Sequence, residues 1–166
     1  MMMIRPETPD DVAVVQQLTQ DAFAQVDRSK GTEAPALQAL RDDGDLRLSL
    51  VVEHDGDIIG HVAFSPVCLN DAPCNWIGLG PIAVAPIWQK QGIGTALVAE
   101  GAARLRAQAA EGIVLIGNPR VYGPMGFVSD GGLTYREVPA PVVQYLPFGT
   151  ARPVGRLTFS LGLENA

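Results

Sequence analysis

The segment from Gly80 to Leu97 constrains this chain most. It reads Gly-Pro-Ile-Ala-Val-Ala-Pro-Ile-Trp-Gln-Lys-Gln-Gly-Ile-Gly-Thr-Ala-Leu. The pattern predicts a strand that ends at Pro86, a short polar loop with closely spaced glycines, and a helix. The first N–H groups of a helix have no internal partners and carry the positive end of its dipole, so a loop without bulky side chains lets a phosphate reach them. The segment therefore predicts a pyrophosphate site, although two glycines alone also fit a tight turn with nothing bound.

Two other nucleotide-binding motifs can be tested on the same sequence. A P-loop requires Gly-Lys-Ser or Gly-Lys-Thr after its spacer, and neither tripeptide occurs in the chain. The run from Gly78 to Ala83, Gly-Leu-Gly-Pro-Ile-Ala, imitates the dinucleotide fingerprint, but it continues into strand residues and Pro86 instead of opening a helix. Both motifs are therefore set aside.

Apolar periodicity and cap residues divide the rest of the chain into helices and strands. Thr8-Pro9-Asp10-Asp11 begins a helix, because a hydroxyl N-cap, a proline at the first helical position and nearby acids all favour a helix start. Asp55-Gly56 lies between two β-rich runs and predicts a tight hairpin, since Gly56 accepts a positive φ. The predicted helices cover 8–25, 33–41 and 94–108, and the predicted strands cover 46–52, 58–64, about 76–85, 113–116, 127–128 and 157–161.

These elements predict one α/β domain over residues 1–166. Apolar residues make up 47% of the chain and charged residues 18%, a balance typical of a folded domain. The wholly apolar run at 113–116 indicates a central strand covered on both faces. Prolines interrupt the part at about 137–155, for which we expect irregular structure.

Composition also narrows the classes of partner. A net charge of −6 without clustered Lys or Arg argues against nucleic-acid binding. No apolar run approaches the roughly 18 residues that cross a bilayer, so no membrane association is expected. The first residues show no export signal, which makes the cytoplasm the expected location. Cys68 and Cys74 flank what is predicted to be a loop, where reduced thiols are favoured over a disulfide or a metal site.

Two further blocks bring out a family resemblance. Gln89-x-x-Gly92-x-Gly94 after the strand resembles the acetyl-CoA motif of the GCN5-related N-acetyltransferase (GNAT) family. Tyr122-Gly-Pro-Met-Gly-Phe127 is similar to that family's Tyr-x-x-x-Gly-Phe segment and follows in the expected order. The match runs from Ile4 to about Phe127, and further segments resemble a bacterial subgroup of predicted acetyltransferases, the YhbS-like proteins.

The resemblance implies the GNAT fold and a binding site for acetyl-CoA. That fold has a mixed, mostly antiparallel central sheet with a splayed central strand and helices on both faces. The backbone of the splayed strand would pair with the pantetheine arm, and the following loop would hold the pyrophosphate. The residues implied in cofactor binding are Ile82, Ala83 and Val84 on the strand, Gln89, Lys90, Gln91, Gly92, Ile93, Gly94 and Thr95 in and after the loop, and Asn118.

The catalytic residues implied by the resemblance are Tyr122 and Glu33. Tyr122 resembles the family's general acid, because a phenol is protonated at neutral pH and can donate to the departing thiolate. Glu33 lies where the first two helices meet and is the first candidate for the base that deprotonates the acceptor; a solvated Glu at a helix start is the alternative. His61, on a central strand, is the second candidate, whereas His54 is expected to be exposed in the hairpin turn.

The implied function is an N-acetyltransferase that passes the acetyl group of acetyl-CoA directly to a primary amine, without a metal ion. The acceptor would be a small molecule or a peptide, and a homodimer is possible by likeness to relatives. The alternative is a non-catalytic acyl-CoA sensor or interaction module on the same fold, since fold alone does not fix function. A serine or cysteine acyl-enzyme is disfavoured, because the chain has no Gly-x-Ser-x-Gly.

Overall fold

The Asp55-Gly56 turn organises the first part of the sheet. Both residues have positive φ, 49° and 87°, as the tight turn of a two-residue hairpin requires. Strand β2 (Leu48–His54) therefore returns directly into β3 (Asp57–Leu69), and the two pair antiparallel from His54 opposite Asp57. The predicted hairpin is confirmed.

The computed structural model describes residues 1–26 and 29–166, in which the strands form one open sheet. Besides β2 and β3, the elements are β1 (Met2–Pro6), β4 (Ala72–Val84), β5 (Gly112–Ile116), β6 (Leu133–Thr134), β7 (Val143–Pro147), β8 (Gly155–Phe159), α1 (Val12–Ala24), α2 (Glu33–Asp42), α3 (Ile93–Ala107), α4 (Pro119–Tyr122) and α5 (Leu161–Glu164). The strand order is β1-β2-β3-β4-β5-β7, with β8 beside β3 and β6 beside β8. Among the described strands only the β4–β5 and β6–β8 pairs are parallel, so the predicted mixed, mostly antiparallel sheet is confirmed.

The helices cover opposite faces of the sheet. On β3, side chains alternate between the faces: Val62 and Phe64 point towards α3, while Ala63 packs with residues of α1 and α2. The helix α3 approaches the sheet closely, because a Cβ on Gly101 would lie only 2.3 Å from the Phe64 ring. Helices on both faces agree with the predicted fold class.

The two cysteines lie in paired strands and not in the predicted loop. Strands β3 and β4 are longer than predicted and meet in a tight turn at Asn70 and Asp71, which both have positive φ. Cys68 therefore lies on β3 and Cys74 on β4, both half-buried and free. Burial raises the pKa of the Cys74 thiol.

The segment 137–155 is more regular than predicted. It contains β7, whose first three residues are buried and which pairs antiparallel with all of β5. Pro141 and Pro147 lie before the strand and at its last residue, where a missing N–H interrupts little of the ladder. The prolines therefore delimit the strand instead of preventing it.

Strand β4 parts from β5 halfway along its length. The parallel pairing ends with Gly78 opposite Val114, after which Leu115 and Ile116 pair only with β7. On its other edge β4 stays bonded to β3 as far as Val84, across a bulge in which Gly80 and Pro81 oppose Ala63. The sheet is thus split between β4 and β5, as the predicted splayed strand requires.

No helix in the described ranges 1–26 and 29–166 combines the length and apolar character needed to cross a membrane.

Candidate functional site

The free edge of β4 borders the split. Ala83 lies opposite His61, and the N–H of Ala85 donates to Ile59 on β3 at 2.9 Å. Because N–H groups alternate in direction along a strand, those of Ile82 and Val84 point away from β3 and into the split. A ligand lying in the split can therefore pair with this edge like an added strand.

A loop with internal hydrogen bonds joins this edge to α3. Pro86 to Trp88 form a single 3-10 turn, and Lys90 and Gly92 then take positive φ of 61° and 84°. The side-chain amide of Gln89 donates to the Val84 carbonyl at 3.0 Å, and that of Gln91 donates to the Ile87 carbonyl at 3.2 Å. Both glutamine side chains thus brace the loop from within, which leaves anion contacts to the backbone.

The N-terminus of α3 is open to solvent. Gly92 is the N-cap residue, and the first backbone bond into the helix runs from the Ala96 N–H to the Gly92 carbonyl at 3.0 Å. Gly92 and Thr95 are exposed, and apart from its neighbours in the chain no described residue lies within 4 Å of where a Gly92 Cβ would be. A Cβ on Gly94 would meet only Ile82 Cδ1, at 3.9 Å, so the helix start and β4 are adjacent. This is the arrangement that holds a phosphate at a helix N-terminus.

Tyr122 lies at the end of the short helix that follows β5. Its ring covers Gly117, where a Cβ would come within 2.6 Å of it, and it packs edge-on against Phe127 with ring centroids 5.8 Å apart. Burial raises the pKa of the Tyr122 phenol, which keeps it protonated at neutral pH.

Asn118 is the N-cap residue of this helix. Its side-chain oxygen accepts from the Arg120 N–H at 3.0 Å, and its carbonyl accepts from the Tyr122 N–H at 3.1 Å. The sequence predicts a cofactor contact for Asn118, and these hydrogen bonds add a second role, in which the residue holds α4 and Tyr122 in place. Its side chain is exposed.

The structure gathers most of the predicted site on one side of the sheet. Ile82, Val84, Trp88 and Tyr122 all pack against the hydrophobic cluster under α3, which contains the buried Ile93. The β4 edge, the glycine loop and the Tyr122 phenol are therefore parts of one region. Ala83, by contrast, points to the opposite face, where it packs with residues of α1.

Glu33 lies on that opposite face. It begins α2 and lines a cavity of about 370 Å³ between α1 and α2, together with Thr19 and Phe23. Its carboxylate accepts a hydrogen bond from the Ser29 hydroxyl. Phe23 also packs on the cluster that contains Ala83, so the cavity adjoins the far side of the splayed strand.

Neither histidine is an obvious base. His61 is fully buried, its Nε2 lies 2.8 Å from the Ser49 hydroxyl, and its Nδ1 has no partner among the described residues. Burial, assisted by the charge of Arg41, lowers the pKa of His61 to about 3. The prediction that His54 is exposed is wrong, because its ring lies 4.8 Å from that of Trp88. This contact links the hairpin to the glycine loop.

A second cavity, which we call the apical cavity, was missed by the sequence reasoning. It measures about 210 Å³ and is lined by Leu79, Gly80, Ile116, Tyr135, Phe159 and Leu163. Two glycines, Gly78 and Gly80, on one face of a strand were the available signal, because they leave a strip without side chains. The aromatic wall comes from the C-terminal segment, which no local pattern connects to β4.

Residues 1–26 and 29–166 contain no group of three His, Cys, Asp or Glu side chains placed to hold a metal ion.

Comparison with known proteins gives consistent relatives. A family model described as the acetyltransferase (GNAT) family matches residues 13–127. The N-acetyltransferase YhbS of Escherichia coli strain K12, itself uncharacterised, is 36% identical over 127 residues, which is 76% of this chain and 73% of the relative.

Two solved structures resemble the fold over nearly the whole chain. A GNAT family acetyltransferase from Brucella melitensis in complex with acetyl-CoA is 39% identical, with a TM-score of 0.88 and 98% of both chains covered. YhbS from E. coli in complex with CoA is 29% identical, with a TM-score of 0.90, and the match covers 98% of this chain and 92% of that one.

Proposed function

This chain belongs to the GNAT family of acetyltransferases, and we propose that it transfers the acetyl group of acetyl-CoA directly to a primary amine. The observation that carries the proposal is the split between β4 and β5, which ends at the open N-terminus of α3. A phosphate at the helix start and an extended arm along the β4 edge together fit one ligand, coenzyme A. The complexes of the Brucella protein with acetyl-CoA and of YhbS with CoA support this assignment.

The cofactor would bind mainly through main-chain groups. The N–H groups between Gln91 and Thr95 would hold the pyrophosphate, with Lys90 as an additional cation. The pantetheine arm would pair with the outward-facing N–H groups of Ile82 and Val84. Because backbone contacts do not depend on a particular side chain, the glutamine at position 89 is compatible with binding.

Tyr122 would act as the general acid. The amine nitrogen attacks the thioester carbonyl carbon, the carbon–nitrogen bond forms, and the carbon–sulfur bond then breaks. The departing thiolate takes the phenolic proton of Tyr122, whose raised pKa keeps the phenol protonated at neutral pH. The nitrogen of the new amide releases the extra proton that it carries after the attack, and this proton restores the Tyr122 phenol. An outward N–H of β4 would stabilise the charge that develops on the carbonyl oxygen.

Glu33 is proposed as the base that takes a proton from the acceptor ammonium, because only the neutral amine is nucleophilic. Its cavity adjoins Ala83 of the splayed strand from the face opposite α3, so an acceptor can enter there while acetyl-CoA occupies the split. A carboxylate in this cavity suits a cationic acceptor, either a small molecule or a peptide amine. The cytoplasmic location and the homodimer stay predictions from the sequence.

The Tyr122→Phe variant tests the assignment. It removes the proton donor and keeps the ring that packs on Gly117 and Phe127. With an acceptor found by screening small-molecule and peptide amines, we expect turnover to fall by about 10²-fold or more, the usual contribution of general acid catalysis. Affinity for acetyl-CoA, measured by calorimetry, should change less than threefold, by an order-of-magnitude criterion.

Tyr145→Phe is the matched control. Tyr145 is also largely buried and loses a hydroxyl that donates to Asp130 at 2.8 Å, away from the split. The turnover of the Tyr145→Phe variant should stay close to that of the unchanged protein. Equal turnover of the Tyr122→Phe variant would remove Tyr122 from the mechanism. Binding of acetyl-CoA without acetylation of any amine would instead indicate the non-catalytic sensor, which no comparison favours.

A further inference from the structure

The apical cavity lies where the two splayed strands part. Leu79 and Gly80 directly follow Gly78, the last residue of β4 that pairs with β5, and Ile116 ends β5. The cavity is therefore a continuation of the split at its closed end. It is distinct from the Glu33 cavity, which shares none of its lining residues.

Missing side chains on β4 create this space. At Gly78 the strand is already covered, because a Cβ there would meet Val67 at 2.8 Å and Phe159 at 3.0 Å. At Gly80 no described residue other than its chain neighbours lies within 4 Å of the Cβ position, although Gly80 lines the cavity. Side chains of other residues thus cover β4 at Gly78, just before the bulge. They leave β4 uncovered at Gly80, where the strand forms an open apolar floor of the cavity.

Hydrogen bonds to one carboxylate hold the aromatic wall. Glu164 accepts from the Tyr135 hydroxyl at 2.7 Å and from the Phe159 N–H at 3.1 Å. The Tyr135 and Phe159 rings meet edge-on with centroids 5.2 Å apart. Since the polar end of Tyr135 is occupied in this way, its ring presents apolar surface next to Leu163. These contacts fix the positions of the wall residues, so the wall is preorganised.

We propose that the apical cavity binds the acyl chain of the acyl-CoA, so that the substrates include short-chain acyl groups longer than acetyl. The inference rests on the proposed function and on the direction of the ligand in the split. With the pyrophosphate at Gly92 and the arm running from Val84 to Ile82, the thioester points towards Gly80. The cavity begins at that residue.

The chemistry of the cavity favours an alkyl chain. Apart from the backbone of Gly80, its lining consists of aliphatic and aromatic side chains, and the hydroxyl of Tyr135 is committed to Glu164. The volume of about 210 Å³ well exceeds the roughly 30 Å³ that a water molecule occupies in the liquid. An acetyl group offers one methyl to this space, whereas a butyryl group adds two methylenes.

Calorimetric titration with free CoA, acetyl-CoA, propionyl-CoA and butyryl-CoA tests the inference without any acceptor. Full burial of a methylene increases affinity about fourfold, so we expect butyryl-CoA to bind about tenfold more tightly than acetyl-CoA. Free CoA, which has no acyl group, is the internal reference for each variant. The ratio of the dissociation constants of CoA and acyl-CoA isolates the contribution of the chain.

Substitutions at Leu163 connect that ratio to the cavity. Leu163→Trp should fill the space and abolish the advantage of butyryl-CoA, while Leu163→Ala should enlarge it and favour chains one or two carbons longer. Leu161 lies on the same helix but is 67% exposed and outside the cavity. Leu161→Trp and Leu161→Ala are therefore the matched controls and should keep the ratios of the unchanged protein. Thermal unfolding verifies that each variant is folded.

The outcomes separate this inference from the proposed function. If CoA and acetyl-CoA bind but butyryl-CoA binds no more tightly, the inference is wrong while the proposed function stands. The same holds if the gain with chain length survives in both Leu163 variants. If neither CoA nor any acyl-CoA binds, the proposed function fails and the inference fails with it.

Discussion

Because His61 is buried, it lowers the stability of the fold at acidic pH. The unfolded chain takes up a proton on His61 below a pKa of about 6.5, whereas the folded protein does so only near 3, because burial disfavours the charged ring. Between these values the unfolded state binds more protons, so stability decreases as the pH falls. The stabilising contribution of neutral His61 is complete above pH 6.5 and is lost towards pH 3.

We expect this residue to reduce the free energy of unfolding by about 2 kcal/mol between pH 7 and pH 5, as linkage gives for one group with these pKa values. Urea unfolding at the two pH values measures the loss. His61→Gln should remove most of it, while the control His54→Gln should keep it. A pH dependence that is identical in both variants would show that His61 titrates normally in the fold.

At the residue scale, sequence patterns identify backbone roles better than side-chain roles. The spacing of Gly92 and Gly94 predicts an open helix start, and the structure has one. The side chain of Gln89, in contrast, donates to the Val84 carbonyl, five residues earlier. Such a bond depends on how the loop folds back on the strand, which spacing along the chain does not show.

The short helix α4 connects the capping residue Asn118 to Tyr122, the proposed general acid. Asn118→Ala removes the side-chain acceptor for the Arg120 N–H and should cost about 1 kcal/mol of stability. Because the same helix carries Tyr122, we expect turnover to fall severalfold while affinity for acetyl-CoA is nearly unchanged. Steady-state kinetics and calorimetry separate the two effects.

Asn118→Asp is the conservative control, since an aspartate also caps a helix and should restore turnover. The sequence-based prediction of a cofactor contact is supported instead if Asn118→Ala weakens acetyl-CoA binding as much as it slows turnover. Asn118 is then a cofactor contact and not only a positioning residue.

At the element scale, the three long helices and the hairpin follow from local chemistry, whereas the short helices α4 and α5 and the strand ends do not. Asp55-Gly56 fixes its turn through backbone geometry alone. The backbone geometry of Asn70 and Asp71 fixes their turn in the same way. The polar residues and Pro73 around the cysteines also fit a loop, however, so the sequence does not distinguish a tight turn from a loop there. Strand β7 forms because it pairs with the whole length of β5. The sequence of the proline-rich segment 137–155 does not indicate this partner.

At the scale of the whole molecule, the split sheet brings the separate motifs together in one region. The GNAT resemblance correctly predicts the splayed strand, because the glycine loop and the Tyr122 segment each belong to a fixed position in that fold. It does not predict that Phe159 and Leu163 from the C-terminal segment close the end of the split. That closure depends on contacts between distant parts of the chain.

Calorimetric titration of the purified protein with acetyl-CoA tests the central claim most directly. We expect one molecule bound per chain, with a dissociation constant within the usual KM range of about 1 μM to 1 mM. Gly94→Ala should weaken binding at least tenfold, as an order-of-magnitude estimate, by obstructing the helix start. The fold should tolerate this change, because the added Cβ meets only Ile82 at 3.9 Å. Absence of binding at millimolar acetyl-CoA, or equal binding by the folded Gly94→Ala variant, would contradict the assignment of this loop.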